Sequence, residues 1–242
     1  MTMSRNPDRE TVFRFKRFAV CNRECAMKVS TDSVLLGAWV SVEGVASAID
    51  LGAGCGILSL MLCQRGVAHV TAMEIDAMAA VEAMGNAALS PWAGNIDIVV
   101  GDATSYSFDK VDLVITNPPY FDSPLVSPDK ARAMARHQGS MNFQWIISSA
   151  PALLRRGGRL AMVTPFEASD EIEWLSSLHR MAVVRRCVVH TNPKRKGRRI
   201  LWELAHDADT TSPVECEQLN IRTNSNQYTE EYVRLTSDFY IK

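Results

Sequence analysis

Gly52, Gly54 and Gly56 alternate between a short apolar strand, Ala48-Ile49-Asp50-Leu51, and an apolar run from Ile57 to Gln64 with helical character. Glycine lets the backbone turn tightly and approach a ligand closely. A strand, such a turn and a helix in succession open a nucleotide-binding βαβ unit. Strand and helix patterns then continue to alternate. Ala68 to Met73 reads as a second strand and ends in Glu74-Ile75-Asp76; Asn95 to Val100 reads as a third, followed by Gly101-Asp102-Ala103; Val111 to Thr116 reads as a fourth. Further on, the pattern predicts a helix over Phe143 to Leu154, a break at Gly157-Gly158 and a fifth strand over Arg159 to Thr164. A helix over Glu167 to His179 and a terminal strand pair, Met181 to His190 and Ile200 to His206, complete it. Apolar strands separated by helical periodicity predict a mostly parallel α/β sheet.

The fourth strand runs into Asn117-Pro118-Pro119-Tyr120. Two successive prolines cannot continue a sheet ladder, so the strand ends there. An amide, a stiff turn with free carbonyls and an aromatic ring are thereby placed at one strand end. These parts suit a flat ring bearing an amino group; on local chemistry the same four residues also fit an ordinary turn. The glycine loop, Glu74, Asp102 and Asn117 each close a successive strand. Open α/β sheets bind ligands at the carboxyl ends of their strands, so the four positions predict one crevice. Glu74 falls near the distance, roughly 20 residues past the loop, at which a ribose-binding carboxylate is expected. Asp102 also fits a helix cap or Asx-turn.

A chain of 242 residues, 47% hydrophobic and 22% charged, suits one α/β domain. The net charge of −1 gives no overall attraction to nucleic acid, so any such partner must be held by a local patch. Cys21, Cys25, Cys55, Cys63, Cys187 and Cys216 form no C-x-x-C pair, and the histidines are isolated, which points to reduced thiols and no metal site. No apolar stretch approaches the ~20 residues that span a bilayer, and the polar start from Met1 to Glu10 lacks a signal-peptide core. Alternating aromatic and basic residues from Val12 to Val20 predict a half-buried strand with a cationic face. Thr31-Asp32 opens an apolar helix that runs to Trp39. The most basic run is Lys194-Arg195-Lys196-Gly197-Arg198-Arg199, read either as a nucleic-acid contact or as a solvated loop. After Leu201 the chain carries eight Asp/Glu against three Lys/Arg, but Tyr228, Tyr232, Phe239 and Tyr240 make the tail aromatic enough to pack on the domain. Trp39, Trp92, Trp145 and Trp174 are expected in or near the core.

The glycines are not spaced Gly-x-Gly-x-x-Gly. Asp50-x-Gly52-x-Gly54-x-Gly56 resembles the S-adenosylmethionine loop of the seven-strand methyltransferases. That resemblance implies a single doubly wound, mostly parallel, Rossmann-like sheet of seven strands. It also implies cofactor contacts from Asp50, Gly52, Ala53, Gly54, Gly56, Glu74 (ribose), Asp102 (adenine) and Asn117. Further stretches narrow it. Phe13 to Lys16, Cys25 to Asp32, Leu36 to Trp39, Leu51 to Leu58, Ser90 to Ala93, Asn117 to Tyr120, Tyr228 to Tyr232, and Leu235-Thr236 with Asp238 to Tyr240 together resemble the bacterial tRNA1(Val) adenosine-37 N6-methyltransferases. Cys55 departs from the Ser or Thr expected there, at a position where the backbone does the work. The basic run is heavier than that family leads one to expect.

The resemblance implies methyl transfer from S-adenosylmethionine to N6 of adenosine 37, beside the anticodon of tRNA1(Val), with Asn117, Pro118 and Tyr120 as catalytic residues. Thr31 and Asp32 are expected to help close the cofactor site. Arg14, Lys16, Arg17, Arg136, Lys194, Arg195, Lys196, Arg198 and Arg199 are the expected tRNA contacts. Residues 1–45 are expected to form an extension that packs on a methyltransferase domain at 46–242 and helps cover the site. A cytoplasmic, monomeric enzyme without metal is expected. The same turn also serves other acceptors: the glutamine amide of release factors, or an adenine of ribosomal RNA or DNA.

Overall fold

The computed structural model describes residues 12–25, 27–118, 141–206 and 213–241. Its elements in chain order are β1 (Val12–Arg14), β2 (Ala19–Cys21), α1 (Thr31–Trp39), β3 (Ser47–Leu51), α2 (Ile57–Gln64), β4 (His69–Glu74), α3 (Ala77–Ala88), β5 (Ile96–Val100) and β6 (Val111–Thr116). There follow α4 (Phe143–Leu153), β7 (Leu154–Pro165), α5 (Ser169–Leu178), β8 (Met181–His190), β9 (Gly197–His206), β10 (Glu215–Asn220) and α6 (Glu230–Thr236). The sheet order is β10-β8-β9-β7-β6-β3-β4-β5. All neighbouring pairs are parallel except those made by β9 with β7 and β8. The carboxyl ends of seven strands therefore share one edge with the start of β9. Order along the chain reverses between β3 and β6, the switch point at which such sheets open to ligands.

Two apolar clusters cover the sheet. One joins α1 and α2 to it, and the other joins α4 and α5. Both faces are thus sealed, which is why the central strands read as continuous apolar runs. The tail packs as its aromatic content requires: Tyr232 and Phe239 are buried, and Phe15 bridges to Tyr240.

Several sequence expectations are corrected. The sheet has eight strands rather than seven, the eighth being β10. Its residues, Glu-Cys-Glu-Gln-Leu-Asn, show no apolar alternation because charge fastens this edge: Arg185 of β8 donates to Glu217 at 2.5 Å and lies 3.8 Å from Glu215. Val12 to Val20 is a hairpin, not one strand, with β1 pairing antiparallel to β2. The fifth strand begins at Leu154 rather than Arg159, so the helix ends before Gly157-Gly158 and the glycines lie within β7; a register shift against β6 absorbs the extra residues, with Gly157 at φ 79°. Strand β9 starts at Gly197, so Arg198 and Arg199 belong to the sheet rather than to a loop. Trp174 is 61% exposed, whereas Trp202 is fully buried and donates to Thr164.

Helices α1 and α2 meet at Gly37, where an added Cβ would lie 2.7 Å from the Met61 sulfur and 3.2 Å from its Cβ. Gly37→Val is expected to destabilise the protein by about 1–3 kcal/mol through overpacking. Thermal denaturation should show a midpoint lowered by roughly 2–4 °C per kcal/mol.

Candidate active site

Pairing between β3 and β6 extends only to Asp50 and Ile115. One more contact, from the Thr116 hydroxyl to the Leu51 carbonyl (2.7 Å), ties the strands before they part. Beyond that tie the glycine loop leaves on one side and Asn117 on the other. The loop is held by β4: the amides of Gly52 and Ala53 both donate to the Met73 carbonyl at 2.9 Å. Gly52, Gly54 and Gly56 have φ values of 72°, 54° and 80°, a left-handed conformation that disfavours a side chain. At Gly54 an added Cβ would meet nothing within 4 Å, so this backbone faces open space that a ligand can fill.

Two carboxylates brace the loop. Glu74, at the end of β4, accepts from the Gly54 amide (2.7 Å) through Oε2 and from the Asp76 amide (2.9 Å) through Oε1. Asp50 is fully buried and accepts from the amide and hydroxyl of Ser59 through Oδ2 (3.1 and 2.7 Å), fixing the first turn of α2. Its other oxygen is buried without a hydrogen-bond partner among the described residues. Burial, with a smaller contribution from the nearby Glu74 charge and against the Ser59 bonds, pushes the Asp50 carboxyl up to about 7. An orphaned acidic oxygen beneath a glycine loop suits a cationic ligand group. Asp102 makes the Asx-turn that its position allowed, accepting from the Thr104 amide and hydroxyl (2.9 and 2.8 Å) through one oxygen.

Asn117 and Pro118 are buried at the end of β6. The Asn117 amide nitrogen donates to the Ser33 hydroxyl at 2.9 Å. Ser33 is fixed in turn by Ser30, the cap of α1, whose hydroxyl accepts from the Ser33 amide (3.2 Å). Using Nδ2 in this way orients the amide and makes its oxygen the acceptor end. Sequence reading missed Ser33, which lies 84 positions from Asn117 and read as one residue of an apolar helix. The helix-start signal read at Thr31-Asp32, just before it, was its only trace.

The segment before α1 is clamped onto the loop. Asn86 of α3 accepts from the Cys21 amide and donates to the carbonyls of Cys21 and Cys55 at 2.8 and 2.9 Å. Glu82 accepts from the backbone of Arg23, Glu24 and Cys25. The neighbouring Cys55 thiol and burial hold the Cys25 thiol far above its usual range, so it is inert.

The predicted tRNA contacts separate. Lys194, Arg195 and Lys196 lie in the exposed turn between β8 and β9, and Arg198 and Arg199 begin β9, all on the edge that carries Asn117. Arg199 pairs with Pro165 of β7, which puts it two strand spacings, roughly 10 Å, across the sheet from β6. Asp32 does not face the glycine loop; it pairs with Arg199 at 2.7 Å beside Thr31, in a neighbouring pocket. Arg14, Lys16 and Arg17 are elsewhere. Lys16 donates to the Ser237 carbonyl, and Arg17 covers Trp92, in the turn that leads into the amino end of β5. The turn of this hairpin therefore points toward the opposite edge, while its other end, at Cys21, reaches the glycine loop through Asn86. Pro119, Tyr120 and Arg136 lie outside the described residues. Among the described residues no group of three or more His, Cys, Asp or Glu could hold a metal ion, and no helix is long and apolar enough to cross a membrane.

The chain is similar to proteins already known. The methyltransferase small domain family matches residues 25–185. A tRNA1(Val) (adenine(37)-N6)-methyltransferase of Bacteroides thetaiotaomicron is 38% identical over 95% of this chain and 97% of its own. One from Bacteroides fragilis is 38% identical over 95% and 98%. Among solved structures, a predicted O-methyltransferase from Agrobacterium tumefaciens superposes with a TM-score of 0.66 at 21% identity, over 86% of this chain and 96% of that one, which shows a shared fold.

The raised Asp50 pKa has a stability consequence. Its folded value of about 7 exceeds the ordinary carboxyl value of 3.8, so the native state binds the extra proton between these limits. Stability falls as pH rises through this window and stays lower above it. Asp50→Asn, which keeps an oxygen for Ser59, is expected to match the parent near pH 4. Above pH 7 it should exceed the parent by up to a few kcal/mol, at about 1.4 kcal/mol for each tenfold change in proton affinity. Urea denaturation at the two pH values tests this; a variant less stable at both would contradict it.

Proposed function

Because the chain belongs to the tRNA1(Val) (adenine(37)-N6)-methyltransferase family, we propose that it transfers a methyl group from S-adenosylmethionine to the N6 nitrogen of adenosine 37 in tRNA1(Val), in the cytoplasm. The observation that carries this reading is Asn117, oriented by Ser33 at the switch point across from the glycine loop.

The residues present fit the cofactor. The unpartnered Asp50 oxygen suits an ammonium group, and the open backbone at Gly54 suits close approach of the methionine portion. Each Glu74 oxygen holds one amide and has a lone pair left for a ribose hydroxyl. The second Asp102 oxygen is assigned to the adenine amino group. When bound, S-adenosylmethionine supplies an electrophilic methyl group on a sulfonium.

The chemical difficulty lies in the acceptor, because an adenine amino nitrogen delocalises its lone pair into the ring. The Asn117 side-chain oxygen and the Pro118 carbonyl accept its two hydrogens. This draws the nitrogen toward a tetrahedral shape and turns its lone pair toward the methyl carbon. Proline suits the second role because it offers a carbonyl without an N–H. Methylation of that nitrogen would leave one amino proton to depart to solvent. Tyr120 is assigned to stack on the extruded base, a contact worth roughly 1–3 kcal/mol. Placement of both reactants supplies much of the acceleration. An anticodon-loop base is unstacked at modest cost, which makes it an accessible target. The extension at 1–45 is assigned to cover the loop through the Asn86 and Glu82 clamps. Thr31 stands at the site's outer margin, and Asp32 serves there by holding Arg199.

Nucleoside mass spectrometry of unmodified tRNA after reaction tests this directly. The parent is expected to yield N6-methyladenosine at position 37, and Asn117→Ala to lose at least about a hundredfold in kcat, the scale of a lost transition-state contact. Methylation of a release-factor glutamine, with none of tRNA, would overturn the assignment. Ser33→Ala removes one neutral hydrogen bond and is expected to lower kcat about 3- to 10-fold with cofactor affinity unchanged. Equal losses in both would show that Ser33 acts on folding rather than on Asn117.

A further inference from the structure

A second pocket, of about 330 Å³, opens on the same sheet edge, beside the crevice. The start of α1, the ends of β8 and β10, and the first residues of β9 form its walls. Thr31, Asp32, Arg198, Arg199, Arg222 and Tyr228 are the residues that give it its chemistry. The charge is one-sided. Among the described residues Asp32 is the single acid in the lining, and it is engaged by Arg199 at 2.7 Å. Arg198 is exposed at the start of β9.

Arg222 is held in place by neutral groups. It donates to the Asn226 carbonyl (2.8 Å) and the Tyr228 hydroxyl (3.2 Å), and its guanidinium carbon lies 4.3 Å from the centre of the Tyr228 ring. A guanidinium has five N–H donors, so these partners leave others for a ligand. Tyr228 is stacked on Tyr232 with centroids 4.9 Å apart, yet is itself 53% exposed. A cation held on a half-exposed aromatic side chain, with Arg198 in the same lining, suits one phosphate joined to one base that packs on the exposed part of Tyr228.

Position decides what brings such a group here. The pocket spans β9, β8 and β10, two to four strand spacings from β6, or roughly 10–20 Å along the edge from Asn117. Its volume lies at the lower end of ligand sites, enough for one nucleotide but not for a paired stem. We propose that this pocket takes a single unpaired nucleotide of the substrate RNA, a near neighbour of the methylated adenosine, with its phosphate on Arg198 and Arg222 and its base against Tyr228. The proposal rests on the RNA methyltransferase reading above and adds a second grip, which fixes the loop while the target base is extruded.

The test uses anticodon stem–loops in which one loop phosphate at a time is a neutral methylphosphonate, with the parent, Arg222→Ala and Arg198→Ala enzymes. With the parent, one neutral linkage near the target should raise KM about tenfold or more and leave kcat little changed. Arg222→Ala should raise KM similarly on the unmodified loop, become insensitive to that same linkage, and reduce the salt slope of binding by about one. Arg198→Ala, on an exposed position that leaves the Tyr228 stack intact, should show the same coupling. Additive losses at every linkage in both variants would overturn the pocket while leaving the methylation reading intact. A parent enzyme that methylates neither stem–loop nor tRNA would overturn the reading beneath it instead.

Discussion

The site depends on where two strands stop pairing. Strands β3 and β6 are joined through Asp50 and Ile115, and the Thr116 hydroxyl holds the Leu51 carbonyl one residue further on. Past that bond each strand must find other partners. The chain from β3 turns back onto β4 through the Met73 carbonyl, which only left-handed glycine backbone allows. The chain from β6 runs into proline, and its closing amide side chain turns to Ser33. The crevice is the space between these two solutions. Hydrogen bonds to neighbouring strands and to α1 set its two walls, so their spacing does not depend on the exposed loops around them.

Charge is placed around this opening with a consistent logic. Asp50 and Glu74 are buried next to one another, which disfavours ionisation of Asp50 and leaves one acidic oxygen without a partner. A native protein tolerates such a group where a ligand completes it. Further along the edge the sign reverses, with Arg198, Arg199 and Arg222 around one acid. A nearly neutral chain thus carries an acidic floor, assigned above to a cationic cofactor, beside a basic margin, assigned to a polyanion. At the opposite edge Glu203 accepts from the Ser41 amide, and Arg185 reaches both Trp39 and Glu217. Charge there fastens strands.

The glycine loop, the strand ends and the order of βα units were legible because each is a local signal: a turn only glycine makes, an apolar run, two prolines. Strand β10 was not, because an edge strand held by Arg185 has no apolar rhythm to read. The hairpin at β1 and β2 was read as one strand since Phe13, Phe15 and Phe18 alternate with basic residues whether or not the chain reverses between them. Proximity across the sequence was least legible. Nothing in the composition of α1 says that Ser33 meets Asn117, that Asp32 turns to Arg199 rather than to the glycine loop, or that Arg17 sits at the far edge over Trp92. The basic run read as a loop proved half strand, and that half lines the second pocket.

Two oxygens at the end of β6 are central to the proposed reaction, in which they are assigned to make an exocyclic amine nucleophilic. A crystal structure of the enzyme with S-adenosylhomocysteine and an anticodon stem–loop tests this most directly. The N6 nitrogen of the extruded adenosine is predicted to lie within hydrogen-bond distance, roughly 2.7–3.2 Å, of both the Asn117 side-chain oxygen and the Pro118 carbonyl, with the sulfur on its far side. An adenosine bound with its amino group turned from β6, or an Asn117 amide that releases Ser33 and leaves its oxygen on the protein, would contradict it.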